Sequence, residues 1–269
     1  MSEDLETFAD VESFKTPAKF EEGIEKITAA ISKLTDKKIT AIAGGLRGRL
    51  TEDKTGIEND VILTKWAGKN VVKKLKQFAD VPVFIENDTA IAGVGEAVFG
   101  AGRGSEIVAY HTISTGVGGV KIEDGEIDHA SSGFEPGHQI LDIDRTVLGE
   151  DITPTLENLV SGTAVGERFG VKAYEIPQSD IVWDELAEYL AQGLRNTILY
   201  WSPDVIVLGG SMIVGDPAIS VDAIRKYTVE VIDGFVETPL IAKAELGDHA
   251  GLFGAMAILK QKQEEQSDD

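Results

Sequence analysis

Residues 81–100 read VPVFIENDTAIAGVGEAVFG. The first part is a run of β-formers that stops on Glu86-Asn87-Asp88, and the second is apolar and rich in Gly and Ala. That change of pattern predicts a strand over 81–88 whose polar end feeds a buried helix over 89–100, with small residues that allow close packing. The alternation recurs on both sides. Upstream, TPAKFEEGIEKITAAISKL (16–34) is an amphipathic helix, with Thr16 as cap, Pro17 in the first turn and Phe20, Ile24, Ile27 and Ile31 on one stripe. KITAIAGG (38–45) is a strand followed by a glycine turn, and NVVKKLKQFA (70–79) is a short helix. Downstream, two strands flank Ser114-Thr115-Gly116-Val117-Gly118-Gly119, and helical patterning covers 151–169 and 180–201. PDVIVLGG (203–210) is an apolar strand ending in a glycine pair, followed by a further helix. PLIAKAEL (239–246) is a strand, AGLFGAMAILKQKQ (250–263) the final helix, and EEQSDD (264–269) a frayed tail. Strands alternating with helices predict α/β architecture with partly parallel sheets.

Composition narrows the function classes. The 269 residues suffice for one large domain or two lobes with substantial cores. Cys is absent, which excludes disulfides, thiolate nucleophiles and Cys-rich zinc sites and is compatible with a cytoplasmic protein. The opening MSEDLETFAD is acidic and lacks a signal-peptide profile, and no apolar run approaches a membrane span. A formal charge of -21 argues against nucleic acid as a partner, because phosphate binding needs a basic surface.

Three predicted strand ends carry chemistry: Asn87-Asp88, the 114–119 loop and Gly209-Gly210. In α/β proteins, ligands gather where strands deliver their carboxyl ends. An acid, a glycine loop whose bare N–H groups can approach an anion, and a glycine pair beside which a flat ring can lie suit an enzyme that moves a nucleotide's terminal phosphate. Each feature also has a plain structural reading. Asp88 can be a helix N-cap, the 114–119 loop a loose hairpin, and Gly209-Gly210 a strand-to-helix turn. Likewise Glu135 and His138, in SSGFEPGHQI (131–140), are either solvated surface groups or a carboxylate and an imidazole turned on a ligand by flanking glycines.

Over nearly its whole length the sequence resembles the ROK sugar kinases and their relatives (repressor, open reading frame, kinase). VFIENDTAIAGVGEAVFG resembles the family's Glu-Asn-Asp segment, and STGVGG its second phosphate motif, GTGxGxG. EPGH (135–138) is similar to the ExGH sugar motif, SPDVIVLGGSM to the adenosine motif, and ELGDHAGLFGAMAIL to the C-terminal segment. The resemblance implies the two-lobed, actin-like and ribonuclease H-like α/β fold of the hexokinase-type ATPases. Residues 1–100 would form a small N-terminal lobe and 101–269 a large C-terminal lobe, the final helix packing back on the small one. It implies ATP-dependent phosphorylation of a hexose or N-acetylhexosamine, with Asp88 as catalytic base. Asn87, Glu135, His138 and Glu157 would hold the sugar, Thr115, Gly116 and Gly118 the phosphates, and Gly209 and Gly210 the adenosine. ATP and Mg²⁺ are the implied cofactors, and a homodimer is a family expectation.

The sequence departs from the family pattern in three places. Leu148, Glu150 and Thr155 stand where the family's zinc motif has Cys, so no zinc is expected, although Glu157 keeps the place of that motif's final Glu. No DxGGTx occurs, and EDLETFADVESFKTP resembles the segment after the family's first hairpin; the expectation is a small lobe truncated at its start. AGGLRGRL (43–50) takes the place of a Gly-x-Pro-Gly sugar-side loop, without the Pro and with Arg47 and Arg49. The missing phosphate turn supports an alternative, a non-catalytic sugar-binding or regulatory protein. A DNA-binding regulator would need an added helix-turn-helix and a basic face.

Overall fold

Asn70 and Thr155 each open a helix by accepting a backbone N–H, from Lys73 and Asn158 respectively. Such caps satisfy donors that the helix itself cannot pair. The computed structural model describes residue 8, residues 10–131 and residues 133–267. The chain divides into two units, Met1–Gly95 with His249–Asp269, and Glu96–Asp248. No described helix is long and apolar enough to cross a membrane.

The first unit contains α1 (Phe20–Leu34), β1 (Ile42–Leu46), β2 (Arg49–Leu50), β3 (Ile57–Asn59), α2 (Val71–Phe78), β4 (Val83–Asn87) and the start of α3 (Asp88–Val98). β1 and β4 are parallel, with Ile42 opposite Val83 and Leu46 opposite Asn87. β2 and β3 form a short antiparallel pair. Phe20, Ile24, Ile57, Leu63, Trp66, Val71 and Leu75 make the core, Phe20 meeting Trp66 edge-on with ring centroids 5.2 Å apart. The final helix of the chain, which packs on β1, crosses α3 on glycines: a side chain at Gly254 would collide with the Ile91 carbonyl.

Three sequence expectations for this unit are corrected. The first helix starts at Phe20 rather than beside Thr16, because the Pro17 carbonyl is held outside it, accepting the Trp66 indole N–H at 3.1 Å. The turn expected on the glycines of 38–45 is strand, since Gly44 and Gly45 pair with Ile85 and Glu86; the chain turns at Gly48, whose φ is 86°. The final helix runs to Ser267, through most of the expected frayed tail. Asp268, Asp269 and residues 1–7, on which part of the acidic N-terminal reading falls, lie outside the described residues.

The second unit is built on one sheet. β5 (Ile107–Ile113), β6 (Val117–Glu123) and β7 (Glu126–Ile127) run antiparallel, and β8 (Val205–Gly209) and β9 (Leu240–Lys243) extend β5 in parallel. Around the sheet lie α4 (Leu156–Val160), α5 (Gly162–Phe169), α6 (Val182–Trp201), α7 (Ser211–Val214) and α8 (Val221–Ile232), and α9 (Ala250–Ser267) completes the chain in the first unit. Leu186, Leu190 and Leu194 of α6 are fully buried in the same cluster as Ile206 and Leu208 of β8. The helical pattern read over 151–169 is two helices. Ser161 ends α4 and caps α5, its hydroxyl accepting the Ala164 N–H at 3.2 Å. Glu96, fully buried, accepts N–H bonds from Ala101, Glu245 and Leu246 at 2.8–3.1 Å and so ties the end of α3 to the segment after β9.

Candidate functional site

Parallel pairing of β1 and β4 puts the residues after both strands at one edge of the first unit. Asn87 is the cap of α3: its Oδ1 accepts the N–H groups of Thr89 and Ala90 at 2.9 and 3.2 Å, while its Nδ2 donates to the Gly48 carbonyl at 3.1 Å. The cap role left open for Asp88 therefore belongs to its neighbour. Asp88 begins α3 with an exposed side chain whose Oδ1 accepts the Thr89 N–H at 2.9 Å. Partial withdrawal from water pushes its carboxyl above the ordinary aspartate value, against the Thr89 N–H and the Arg47 charge, which pull it down.

Arg47 is itself positioned. Its Nε donates at 2.9 Å to Oδ2 of Asp60, a buried carboxylate that also accepts the N–H groups of Ile62 and Leu63. Burial alone would push Asp60 up, but the Leu63 N–H and Arg47 more than offset it, so its carboxyl is held below the usual range. Arg49 pairs instead with Glu58 on the exposed surface. Asp60 was not found from sequence; it lies in an aperiodic loop, and nothing local distinguishes it from a solvated acid.

In the second unit, β5 and β6 close on a tip of only Ser114, Thr115 and Gly116, since Gly118 and Gly119 already pair with Thr112 and His111. The Ser114 N–H bonds to the Gly116 carbonyl at 2.8 Å, and the Ser114 carbonyl accepts the Gly162 N–H at 2.7 Å. The Ser114 and Ser211 hydroxyls are 3.0 Å apart. Among the described residues the N–H groups of Thr115 and Gly116 have no hydrogen-bond partner, and Thr115 is exposed. A braced tip with two free N–H groups and a hydroxyl fits the oxygens of a phosphate. Gly119 has a different reason to be glycine: a Cβ there would lie 2.6 Å from Pro136 Cγ and 3.3 Å from Nδ1 of the buried His111.

That contact seats the 135–138 motif on β6. Pro136 and Gly137 are buried, while Glu135 and His138 are exposed, their carboxylate and imidazole 3.5 Å apart. The next residue, Gln139, is fixed by its side-chain Oε1, which accepts a hydrogen bond from Asn196 Nδ2 at 2.6 Å, and by its backbone carbonyl, which accepts the Leu156 N–H at 3.0 Å. Glu157 follows on α4 and reaches the hairpin, its Oε2 accepting the Val117 N–H at 2.8 Å. Glu135, His138, Glu157 and the hairpin tip thus belong to one packed assembly. The glycine pair has packing reasons of its own. Gly209 is buried, and a Cβ there would meet the Tyr110 hydroxyl at 2.6 Å. Gly210, with φ 85°, would collide with the backbone of Ile113.

Where the zinc cysteines would stand, Leu148 is buried in the core, Thr155 caps α4 and Glu150 is exposed. The 142–148 loop winds around Asp142, whose carboxylate accepts N–H bonds from Thr146, Val147 and Leu148 at 2.8–3.1 Å. Among the described residues no three His, Cys, Asp or Glu side chains group to hold a metal.

The family model described as "ROK family" matches residues 1–262. A fructokinase from Lactococcus lactis subsp. cremoris is 29% identical over 224 residues, 80% of this chain and 76% of its own. A fructokinase from Zymomonas mobilis subsp. mobilis is 31% identical over 206 residues, 72% of this chain and 67% of its own. Among solved structures, the ROK hexokinase from Thermus thermophilus superimposes with a TM-score of 0.75 at 25% identity, covering 93% of this chain and 90% of that one.

Proposed function

This chain belongs to the ROK family, with the actin-like α/β fold of its hexokinases, and from that membership we propose that it transfers the γ-phosphate of ATP to a hydroxyl of a hexose or N-acetylhexosamine. The observation that carries the reading is the division of labour at the end of β4. Asn87 caps the helix, so the Asp88 carboxylate is left exposed with raised basicity. In the reaction, ionised Asp88 accepts the proton of the sugar hydroxyl as that oxygen bonds to the γ-phosphorus. The bond from phosphorus to the bridging oxygen breaks, and ADP leaves with the electron pair. Proton transfer of this kind contributes roughly 100- to 10,000-fold.

Glu135, His138 and Glu157 hold sugar hydroxyls, and the free amide hydrogen of Asn87 adds a donor; their contribution is orientation. Thr115 and Gly116 offer N–H groups and a hydroxyl to the phosphates, with Gly118 behind them in β6. Gly209 and Gly210, at the end of β8, are assigned to the adenosine side. Mg²⁺ bound with the nucleotide would neutralise phosphate charge there. The relatives named fructokinase and hexokinase support hexose as the acceptor class. A panel of hexoses and N-acetylhexosamines with ATP and Mg²⁺, read by ADP release and by mass of the phosphosugar, tests this. One phosphosugar per ADP is expected. Calorimetric sugar binding with no phosphosugar across the panel would replace the kinase by a sugar-binding protein.

A further inference from the structure

We propose that Glu157 is a positioning residue that couples the sugar side of the site to the phosphate hairpin, so that the placement of one carboxylate sets the affinity for both ligands. This rests on the reading of Glu157 as a sugar ligand and of the hairpin tip as the phosphate seat. Three contacts carry it. The Glu157 Oε2 accepts the Val117 N–H at 2.8 Å, at the first residue of β6 after the tip. The same oxygen lies 2.6 Å from where a Cβ at Gly116 would stand, so the carboxylate fills the space left by that glycine. The Val117 carbonyl, in turn, packs so closely on Gly137 that a side chain there would collide with it. Val117 is therefore gripped through its N–H by one sugar ligand and through its carbonyl by the loop that carries the other two.

Among the described residues Glu157 Oε1 has no hydrogen-bond partner, which leaves it to accept a sugar hydroxyl while Oε2 stays on the hairpin. A carboxylate anchored at one oxygen is pre-oriented at the other, so hairpin geometry reaches the sugar. In the opposite direction, a hydroxyl donated to Oε1 draws charge away from the tip, where phosphate oxygens bind. Any such coupling is reciprocal.

The decisive experiment places the substitution on the phosphate side and reads the sugar side. Gly116 does not have a left-handed backbone, so alanine can adopt its conformation. Its Cβ displaces the Glu157 carboxylate, which is the movable partner. With no nucleotide present, calorimetry should show sugar affinity in Gly116→Ala falling about fivefold, the loss of roughly one hydrogen bond. In a Glu157→Ala background the same Gly116→Ala change should have no further effect, which a merely structural disturbance would not reproduce. Unchanged sugar affinity in Gly116→Ala, or an equal loss in both backgrounds, overturns the coupling while leaving the sugar pocket standing. A native chain that binds no sugar overturns the pocket and the coupling together. If Gly116→Ala does not fold, Glu157→Gln reads the link from the other end. Removing the negative charge beside the tip should tighten a non-hydrolysable ATP analogue about threefold without sugar; unchanged affinity overturns the proposal.

Discussion

Asn87 Oδ1 takes the N–H groups of Thr89 and Ala90, and Nδ2 holds the carbonyl of Gly48, so this one amide fixes both the helix start and the turn after β1. Asn87→Ala should therefore cost about 1 kcal/mol from the cap alone, measured by denaturant unfolding. Asp88 is the member of the pair that titrates. As the proposed base it would act only when ionised, so the account expects an acid limb of kcat/KM against pH at its pKa, raised above the ordinary aspartate value by partial withdrawal from water. The Arg47 charge lowers that pKa and the Asp60 charge raises it. Arg47→Met removes the first and leaves the second less compensated, so the acid limb should move to higher pH; a limb that stays put or moves lower would take Arg47 out of the electrostatics of the base. From sequence the cap reading was attached to Asp88 alone and Asn87 was read as a sugar ligand, although Asn and Asp cap helices about equally well. Only the placement of the two oxygens decides.

Among the elements, the 135–157 region, proposed to hold the sugar, is braced by polar backbone contacts. The Asp142 carboxylate gathers the N–H groups of Thr146, Val147 and Leu148, and Leu148 is buried in the core. Burial pushes Asp142 up, but the Leu148, Val147 and Thr146 bonds outweigh it, leaving its carboxyl below the ordinary range. A depressed folded-state pKa means that this stabilisation is present above the unfolded value and is lost as pH falls through the folded one. Asp142→Ala should lower stability by about 2 kcal/mol at neutral pH, since N–H donors lose their acceptor. A chelator should leave the melting curve of the native chain unmoved. A chelator-sensitive curve, or an Asp142→Ala chain as stable as the native one, would mean that the loop is held otherwise. The long helices and the long strands were legible from sequence pattern, but the break between α4 and α5 and the separation of the four-residue α7 from α8 were not. β2 and β3 were not, because two and three residues are too few to show a period. The start of α1 was misplaced because the Pro17 carbonyl answers to Trp66, 49 positions away in sequence, a contact that no local pattern contains.

Across the molecule as a whole, the order of the motifs was legible, and it led to the ROK family, whose model matches residues 1–262. What the order could not convey is why individual glycines are present. Gly119 answers to Pro136 and His111, Gly209 to Tyr110, and Gly116 to Glu157, so packing partners account for residues that a motif assigns to ligands. A chain of net charge -21 leaves the N–H groups of Thr115 and Gly116 without partners among the described residues, so the proposed nucleotide seat would rest on local donors and not on a basic surface. The proposed chemistry turns on Asp88 as the base of a sugar phosphotransfer. The deciding comparison is kcat of the native chain against Asp88→Asn, with ATP, Mg²⁺ and the sugar that the panel identifies, alongside calorimetric sugar affinity. A fall in kcat of at least about 100-fold is expected, with sugar affinity kept within about tenfold, because Asn preserves size and hydrogen bonding but cannot take the proton. Turnover by Asp88→Asn near the native rate would contradict that role.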